Sequence, residues 1–388
     1  MPVSIVGWSH LLFGRLDGLR LKDLIVRAAR EALAHGGLDG NDIDGVWLGN
    51  LNGGFTPDIF ASSLVHEADE GLRWKPATRL ENACASGSAA LYAACDAIEA
   101  RRARIALVVG AEKMTGVSGA EVTRILGDCA YSGEAVPPAG GFPGIFAGIT
   151  QQYFSAYGEQ SAALARIAAK NHANGVANPW AQMRRDLGFE FCNTVSDKNP
   201  LIAAPLRKTD CSLVSDGAAA LILADDAVAR DFPFAVSLRA RVQVNDYLPL
   251  RDRNLLAFEG PRRAWTAALE AAGCRLEDLS FAEVHDCFTI AELLSYEAMG
   301  LAPAGQGYRL LDDGVVQRDG TFPVNASGGL KAKGHPVGAT GVSMHVISAM
   351  QLAGQAEAMQ IPGASLAGVF NMGGAAVANY VSILERSR

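Results

Sequence analysis

The 388-residue chain has no CxxC pair, and its seven cysteines (84, 95, 129, 192, 211, 274 and 287) are odd in number. The first absence argues against a zinc ribbon and the second against a closed disulfide framework; both fit a reducing compartment. There is no basic block and the net charge is −7, so nucleic acid is not an expected partner. A nucleotide-bearing small ligand would need only a local basic rim. No stretch approaches the roughly 18 uninterrupted apolar residues of a membrane span. Residues 1–18 lack the charged region and long apolar run of a signal peptide, and Glu385–Arg388 is not a peroxisomal tripeptide. The expectation is a cytoplasmic protein.

What is present describes a globular chain long enough for two domains: 49% hydrophobic and 19% charged residues. Val3–Gly7 reads as a buried strand. Leu21–His35 has apolar residues at a helical period, and Gly36–Gly37 closes it. Strand at 42–49, helix at Pro57–His66, an extended run at Pro76–Leu80, helix at Ala89–Arg102 and strand at 104–110 follow. From 115 to 207 the pattern loosens. Glycine and proline cluster at 137–148, with helical runs at 148–157 and 161–175. So long an excursion reads as an inserted loop domain that binds substrate. Strand returns at 215–224, and a second series runs from about 230, with strands at 234–244 and 281–284, helices at 261–272, 289–299 and 342–352, and closing strands within 365–383. Alternation of this kind predicts an α/β layered sheet.

The two series repeat one another. A shift of 236 residues places Gly37 on Gly273, and a shift of 251 places Gly87 on Gly338 and Cys84 on His335. Two α/β halves related by a pseudo-two-fold would bring Cys84 and His335 to equivalent helix starts facing one another, a Cys/His pair of the kind used in nucleophilic catalysis. The expected organisation is residues 1–114 with 208–229 as one half, 115–207 as the insertion, and 230–388 as the other half.

Three stretches carry chemistry. Cys84 lies at a strand-to-helix junction, where free N–H groups and the helix dipole favour a thiolate and can hold an oxyanion. His285–Phe288 (HDCF) follows a strand at the end where open α/β sheets bind ligands. Residues 328–341 (GGLKAKGHPVGATG) place Pro336 in a first helical turn with His335 before it, and glycines at 328, 329, 334, 338 and 341 permit close backbone approach. A tight turn at 371–374 can aim N–H groups inward. Lys331, Lys333, Arg207 and Lys208 are the cations available for a ligand's phosphates.

Together these stretches resemble the thiolase family, over nearly the whole chain and in the same order. Residues 84–90 (CASGSAA) match its nucleophile motif and 328–341 its long C-terminal histidine motif. Residues 285–301 are nearer to the sterol-carrier-protein-2-type and archaeal acetoacetyl-CoA thiolases, because conventional thiolases carry asparagine where this chain has His285. The conventional second cysteine, in a CxG motif, is replaced by Asn371; in the sterol-carrier-like branch the HDCF cysteine, here Cys287, takes over. The resemblance implies an acetyl-CoA C-acyltransferase that catalyses condensation and thiolysis of 3-ketoacyl-CoA. Cys84 would be the nucleophile, His335 would activate it, Cys287 would be acid and base, His285 and His335 would hold the thioester oxygen, and the Gly374 N–H would hold the acyl oxyanion. It implies coenzyme A as substrate and product, no tightly bound cofactor, no metal, and a homodimer or homotetramer. The alternative is a thiolase-like acyltransferase or aldolase subunit acting in complex with a small OB-fold partner, since archaeal relatives work with a zinc-containing protein of that type. A zinc site built from Cys84, Cys287, His285 and His335 is disfavoured, because the HxC pairing is unlike the usual ligand spacings.

Overall fold

The computed structural model describes residues 3–133 and 140–387. Part of the glycine and proline cluster noted above, including Pro137 and Pro138, lies outside them. The strands are β1 Val3–His10, β2 Gly45–Gly49, β3 Ala77–Leu80, β4 Ile105–Glu112, β5 Leu201–Ala203, β6 Leu206–Arg207, β7 Gly217–Asp225, β8 Val236–Asn245, β9 Phe281–Val284, β10 Leu366–Gly373 and β11 Ala378–Arg386. β5 and β6 pair alone. The other nine form one sheet in the order β3-β2-β4-β7-β1-β8-β11-β10-β9.

The duplication is visible in that order. From its outer end inward, β2-β4-β7-β1 has one parallel pair followed by two antiparallel ones, and β9-β10-β11-β8 has the same sequence of directions. The halves join where β1 and β8 pair antiparallel, Ser4 opposite Ser237 and Ile5 opposite Val236. A two-fold axis normal to a sheet relates antiparallel neighbours, so this junction suits the pseudo-symmetry. β3 has only a partial counterpart, a parallel bridge of Val324 to Ala282.

Two central helices, Ser86–Glu99 and Val337–Ala353, lie against one another. The second also packs on β4 and β7 of one half and on β10 of the other. It is buried from Val337 to Leu352 without a polar face, as a helix enclosed on all sides must be. Glycine makes the crossing close. A Cβ at Gly87 would sit 2.8 Å from the Val342 nitrogen, and one at Gly341 would sit 2.4 Å from the Ser88 nitrogen. The helix, placed above from 342, therefore begins at Val337, in keeping with Pro336 at a first helical turn.

Other boundaries moved in similar ways. The helix expected at Ala89 begins at Ser86. The segment 57–66 is not α-helical; a 3₁₀ helix occupies Ala61–Ala68, with Ile59 and Phe60 left exposed before it. Residues 115–207 contain the helices Gly119–Gly127, Gly141–Tyr157 and Ser161–Ala177, the first of which the sequence pattern did not reveal. No helix among the described residues is long and apolar enough to cross a membrane.

Candidate active site

Both central helices start two residues after a chemistry-bearing side chain: Ser86 after Cys84, and Val337 after His335. The fold brings these two together with His285, which stands just beyond the end of β9. The Cys84 sulfur and a ring nitrogen of each histidine lie within 4.8 Å of one another. The imidazoles of His285 and His335 are nearly perpendicular, 83°, with centroids 5.0 Å apart.

The Cys84 loop is held locally. Ala83 has a left-handed backbone, φ 50°. Ser86 Oγ accepts from the Asn82 N–H at 2.8 Å and donates to the Ala83 carbonyl at 2.7 Å. The backbone N–H groups of Gly374 and of Cys84 itself are directed at the Cys84 sulfur. Gly374 adopts φ 62°, a conformation that glycine tolerates best.

Two neighbours set the histidine tautomers, as assigned from their hydrogen-bond partners. Thr340 Oγ1 donates its one proton to the Pro336 carbonyl at 3.0 Å. It therefore accepts from His335 Nδ1, 2.7 Å away, which leaves Nε2 with its lone pair free. Asn371 fixes the opposite state. Its Nδ2 faces the Cys84 carbonyl at 3.2 Å, which can only accept, and its Oδ1 accepts from Ser88 Oγ at 2.8 Å. The same Nδ2 therefore donates to His285 Nδ1 at 2.9 Å, placing the His285 proton on Nε2. One imidazole is thus arranged as a base and the other as a donor.

The charge states follow from burial. His335 is lowered to about 3, first by desolvation and then by the Lys333 ammonium. His285 is held well below its ordinary value by desolvation, His335 and Lys333. The Cys84 thiol is pushed up by desolvation and by Cys129 and Glu112, against the two N–H groups. The thiolate expected from the helix start is therefore disfavoured by desolvation. Desolvation opposes the dipole here, although Cys84 is only half-buried and lines the cavity described below.

Cys287 is buried at 7% exposure, and its thiol is raised well above the ordinary range, by desolvation first and then by Cys84. A cavity of about 370 Å³ opens onto Cys84, Cys287, His335 and Gly374. Val122, Leu126, Phe142, Ile202 and Phe288 make much of its wall, and among the described residues Lys208 is the lysine or arginine that lines it. Cys287 is outside the close group of Cys84, His285 and His335, so the four-donor zinc arrangement is not assembled among the described residues.

Of the four cations named as phosphate contacts, Lys331, Lys333 and Arg207 are buried, and Arg207 pairs with Asp210 at 2.8 Å. Only Lys208 is exposed. Sequence reasoning also missed Glu112. Buried at the end of β4, it accepts from the N–H groups of Leu51, Asn52 and Gly338, tying one half to the first turn of the other half's helix. A lone glutamate at a strand end carries no motif; the signal was its place after an all-apolar strand.

Comparison with known proteins decides the family. The thiolase N-terminal domain model matches residues 3–227, and the thiolase C-terminal domain-like model matches 243–386. The chain belongs to the thiolase family. It is 34% identical to an acetyl-CoA acetyltransferase of Methanothermobacter thermautotrophicus, covering 99% of both chains. It is 31% identical to rabbit (Oryctolagus cuniculus) sterol carrier protein 2, over 97% of this thiolase and 71% of that protein. Among solved structures, the Ltp2-ChsH2(DUF35) aldolase superposes with TM-score 0.84 at 21% identity, covering 100% of this chain and 98% of that one. Human mitochondrial 3-ketoacyl-CoA thiolase in complex with CoA superposes with TM-score 0.72 at 20% identity, with the same coverage. This thiolase is thus an enzyme of mixed α/β fold.

Proposed function

We propose that this thiolase is an acetyl-CoA C-acyltransferase that works through an acyl-Cys84 intermediate, on 3-ketoacyl-CoA in the thiolytic direction. The opposed tautomers of His335 and His285 beside the Cys84 sulfur carry the proposal. Cys84 transfers its proton to His335 Nε2 and attacks the thioester carbon. The N–H groups of Cys84 and Gly374 hold the oxyanion. The carbon–sulfur bond to CoA breaks, and the leaving thiolate takes the Cys287 proton. A second acyl-CoA then places its thioester oxygen between His285 Nε2–H and the protonated His335. Cys287, now a thiolate, removes the α-proton, and the enolate attacks acyl-Cys84. The new carbon–carbon bond releases the Cys84 thiolate, which recovers its proton from His335. Thiolysis is the reverse.

Coenzyme A is substrate and product in this scheme, and no tightly bound cofactor enters it. The segment 115–207 is assigned to substrate binding, because Val122, Leu126, Phe142 and Ile202 line the cavity. A homo-oligomer is part of the proposal. β3 is an edge strand, the segment before it in sequence exposes Ile59, Phe60 and Trp74, and an open edge offers unpaired backbone groups to another chain.

Mass spectrometry after incubation with acetyl-CoA tests the reading. An acetyl adduct on Cys84 is expected, and its absence on folded, reduced protein would refute the intermediate. Cys287→Ala should still acylate but not condense; loss of acylation in that variant would mean the two cysteine roles are reversed. A second reading is favoured by the likeness to the Ltp2-ChsH2(DUF35) aldolase: a subunit active only with a small OB-fold partner. Condensation by the purified chain alone would dismiss it.

A further inference from the structure

The hairpin that carries the Gly374 N–H joins β10 to β11 through residues 374–377. Two of these have left-handed backbone, Gly374 at φ 62° and Ala376 at φ 56°. Alanine is disfavoured there, and such a conformation persists only where its surroundings fix it. Within the turn, the Val377 N–H donates to the Gly373 carbonyl at 3.1 Å. On the side of the site, the hairpin packs against the loop before Cys84, so that a Cβ at Gly373 would collide with the Asn82 carbonyl oxygen. Gly374 and Cys84 line the same cavity.

Arg253, in the loop between β8 and the helix Glu259–Ala272, holds the other side. Its Nη2 donates to the Ala375 carbonyl at 2.7 Å and to the Ala376 carbonyl at 2.9 Å. Its Nε donates to Asp246 Oδ2 at 3.1 Å. The Asp246 N–H donates in turn to the Val377 carbonyl at 2.8 Å, and Asn379 Nδ2 donates to the Ala376 carbonyl at 3.0 Å. The carbonyls of residues 375, 376 and 377 are thus all taken up by this clamp.

The chemistry proposed above does not use Arg253. Its side chain is only 4% exposed, and Nη1 has no partner among the described residues. Enclosing a guanidinium costs desolvation, and an apolar residue would ordinarily fill such a space at less cost. What an apolar residue cannot do is donate to two backbone carbonyls and a carboxylate at once, which the planar fork of arginine does.

We propose that Arg253 is a positioning residue for acyl transfer: by gripping the Ala375 and Ala376 carbonyls it fixes the hairpin so that Gly374 presents its N–H to the acyl oxyanion on Cys84. The proposal rests on the thiolase reading and names what aligns its oxyanion donor. Such a donor acts through preorganisation, and a misplacement of about 1 Å can cost about 10²-fold in rate. The plainer role for Arg253 is to fasten its loop to the sheet. That role predicts a loss of stability and nothing particular to the oxyanion.

Two reactions of Cys84 separate the roles. Acetylation by acetyl-CoA forms a sulfur–carbonyl bond, passes through an oxyanion and releases the CoA thiol. Alkylation by iodoacetamide forms a sulfur–carbon bond, releases iodide and a proton, and has no oxyanion. Both need the thiolate, so any effect on the thiol, on His335 or on the N–H contacts to sulfur enters both rates alike. The ratio of acetylation, at saturating acetyl-CoA, to alkylation therefore reports the oxyanion donor; peptide mass spectrometry locates both products. For Arg253→Met the ratio should fall by about 10-fold or more. Asp246→Asn, a milder change at a partly exposed carboxylate, should lower it a few-fold and remains readable if Arg253→Met fails to fold. An unchanged ratio in folded Arg253→Met, or in Asp246→Asn where the first variant cannot be obtained, overturns the proposal whatever the loss of stability. If that happens while wild type is acetylated, the thiolase reading stands. If wild type is alkylated but not acetylated, that reading fails and the role of Arg253 fails with it.

Discussion

Thr340 and Asn371 decide which nitrogen of each histidine carries a proton, and neither touches the reacting sulfur with its own side chain. Thr340→Val removes the acceptor at His335 Nδ1. The imidazole can then hold its proton on Nε2, where it blocks transfer from Cys84. Acylation by acetyl-CoA should slow by about 10²-fold, short of the ~10⁴ seen where a charged partner is lost, and Thr340→Ser should restore most of it. Equal rates in the valine variant would remove the tautomer argument. On the donor side, His285→Ala should lower condensation by a factor of hundreds, since an oxyanion donor is worth about 2.7–4 kcal/mol. Acylation should fall less, because the acyl oxyanion is held by Gly374 and Cys84. Much of this site was legible in the sequence, because Cys84, His285, Cys287 and His335 lie in motifs with specific spacing. The remainder depends on side-chain direction and burial. Lys333 reads as a surface cation yet is enclosed, Thr340 reads as a small helix residue, and the Cys84 thiolate was inferred from a dipole that desolvation opposes.

At the scale of elements, the catalytic pair depends on how closely two helices cross. Gly341→Ala would place a Cβ 2.4 Å from the backbone nitrogen of Ser88, and no rotamer change can relieve a contact with backbone. Overpacking of this kind costs typically 1–3 kcal/mol. Here it should also separate Cys84 from His335, because each lies two residues before its helix. Urea unfolding should show the loss of stability, and the rate of Cys84 acylation should fall with it. Gly148→Ala is the control. Gly148 lies inside the helix Gly141–Tyr157 with open space around its Cα, so alanine should stabilise by about 0.5–1 kcal/mol. Strand–helix alternation made the layered sheet readable in advance, and the 251-residue shift that set Cys84 on His335 also sets Ser86 on Val337 as helix starts. The close crossing itself was not readable, because glycines that serve one look the same in sequence as glycines that serve a loop.

For the whole molecule, the buried imidazoles and carboxyls oppose one another as pH falls. His10, His172 and His335 are lowered to about 3 and His345 to about 4, desolvation being the first cause in each case, and His285 is held well below its ordinary value for the same reason. Each takes up its proton in the unfolded chain near pH 6.5 but resists it in the folded one. Stability from these groups is therefore complete above that pH and declines as pH falls below it. Four acids work in the other direction. Glu112 and Asp286 are raised to about 7, and Glu283 and Glu297 are raised too, all chiefly by burial. They hold protons in the folded state that the unfolded chain has already released, so they favour the fold as pH falls from about 7 toward the ordinary carboxyl range. Between about pH 6.5 and 4.5 the two sets oppose one another, so the urea midpoint should fall less steeply there than below pH 4.5. Below about pH 4.5 the unfolded carboxyls are protonated as well, their compensation ends, and the lowered groups decide the slope, the histidines first. The paired Asp216, held below its ordinary value by Lys113 and Thr115 against burial, adds to the loss there. The midpoint should then fall steeply toward pH 3. A steady decline beginning at pH 6.5 would mean that the buried acids are ionised in the folded protein, each matched by the nearby lysines.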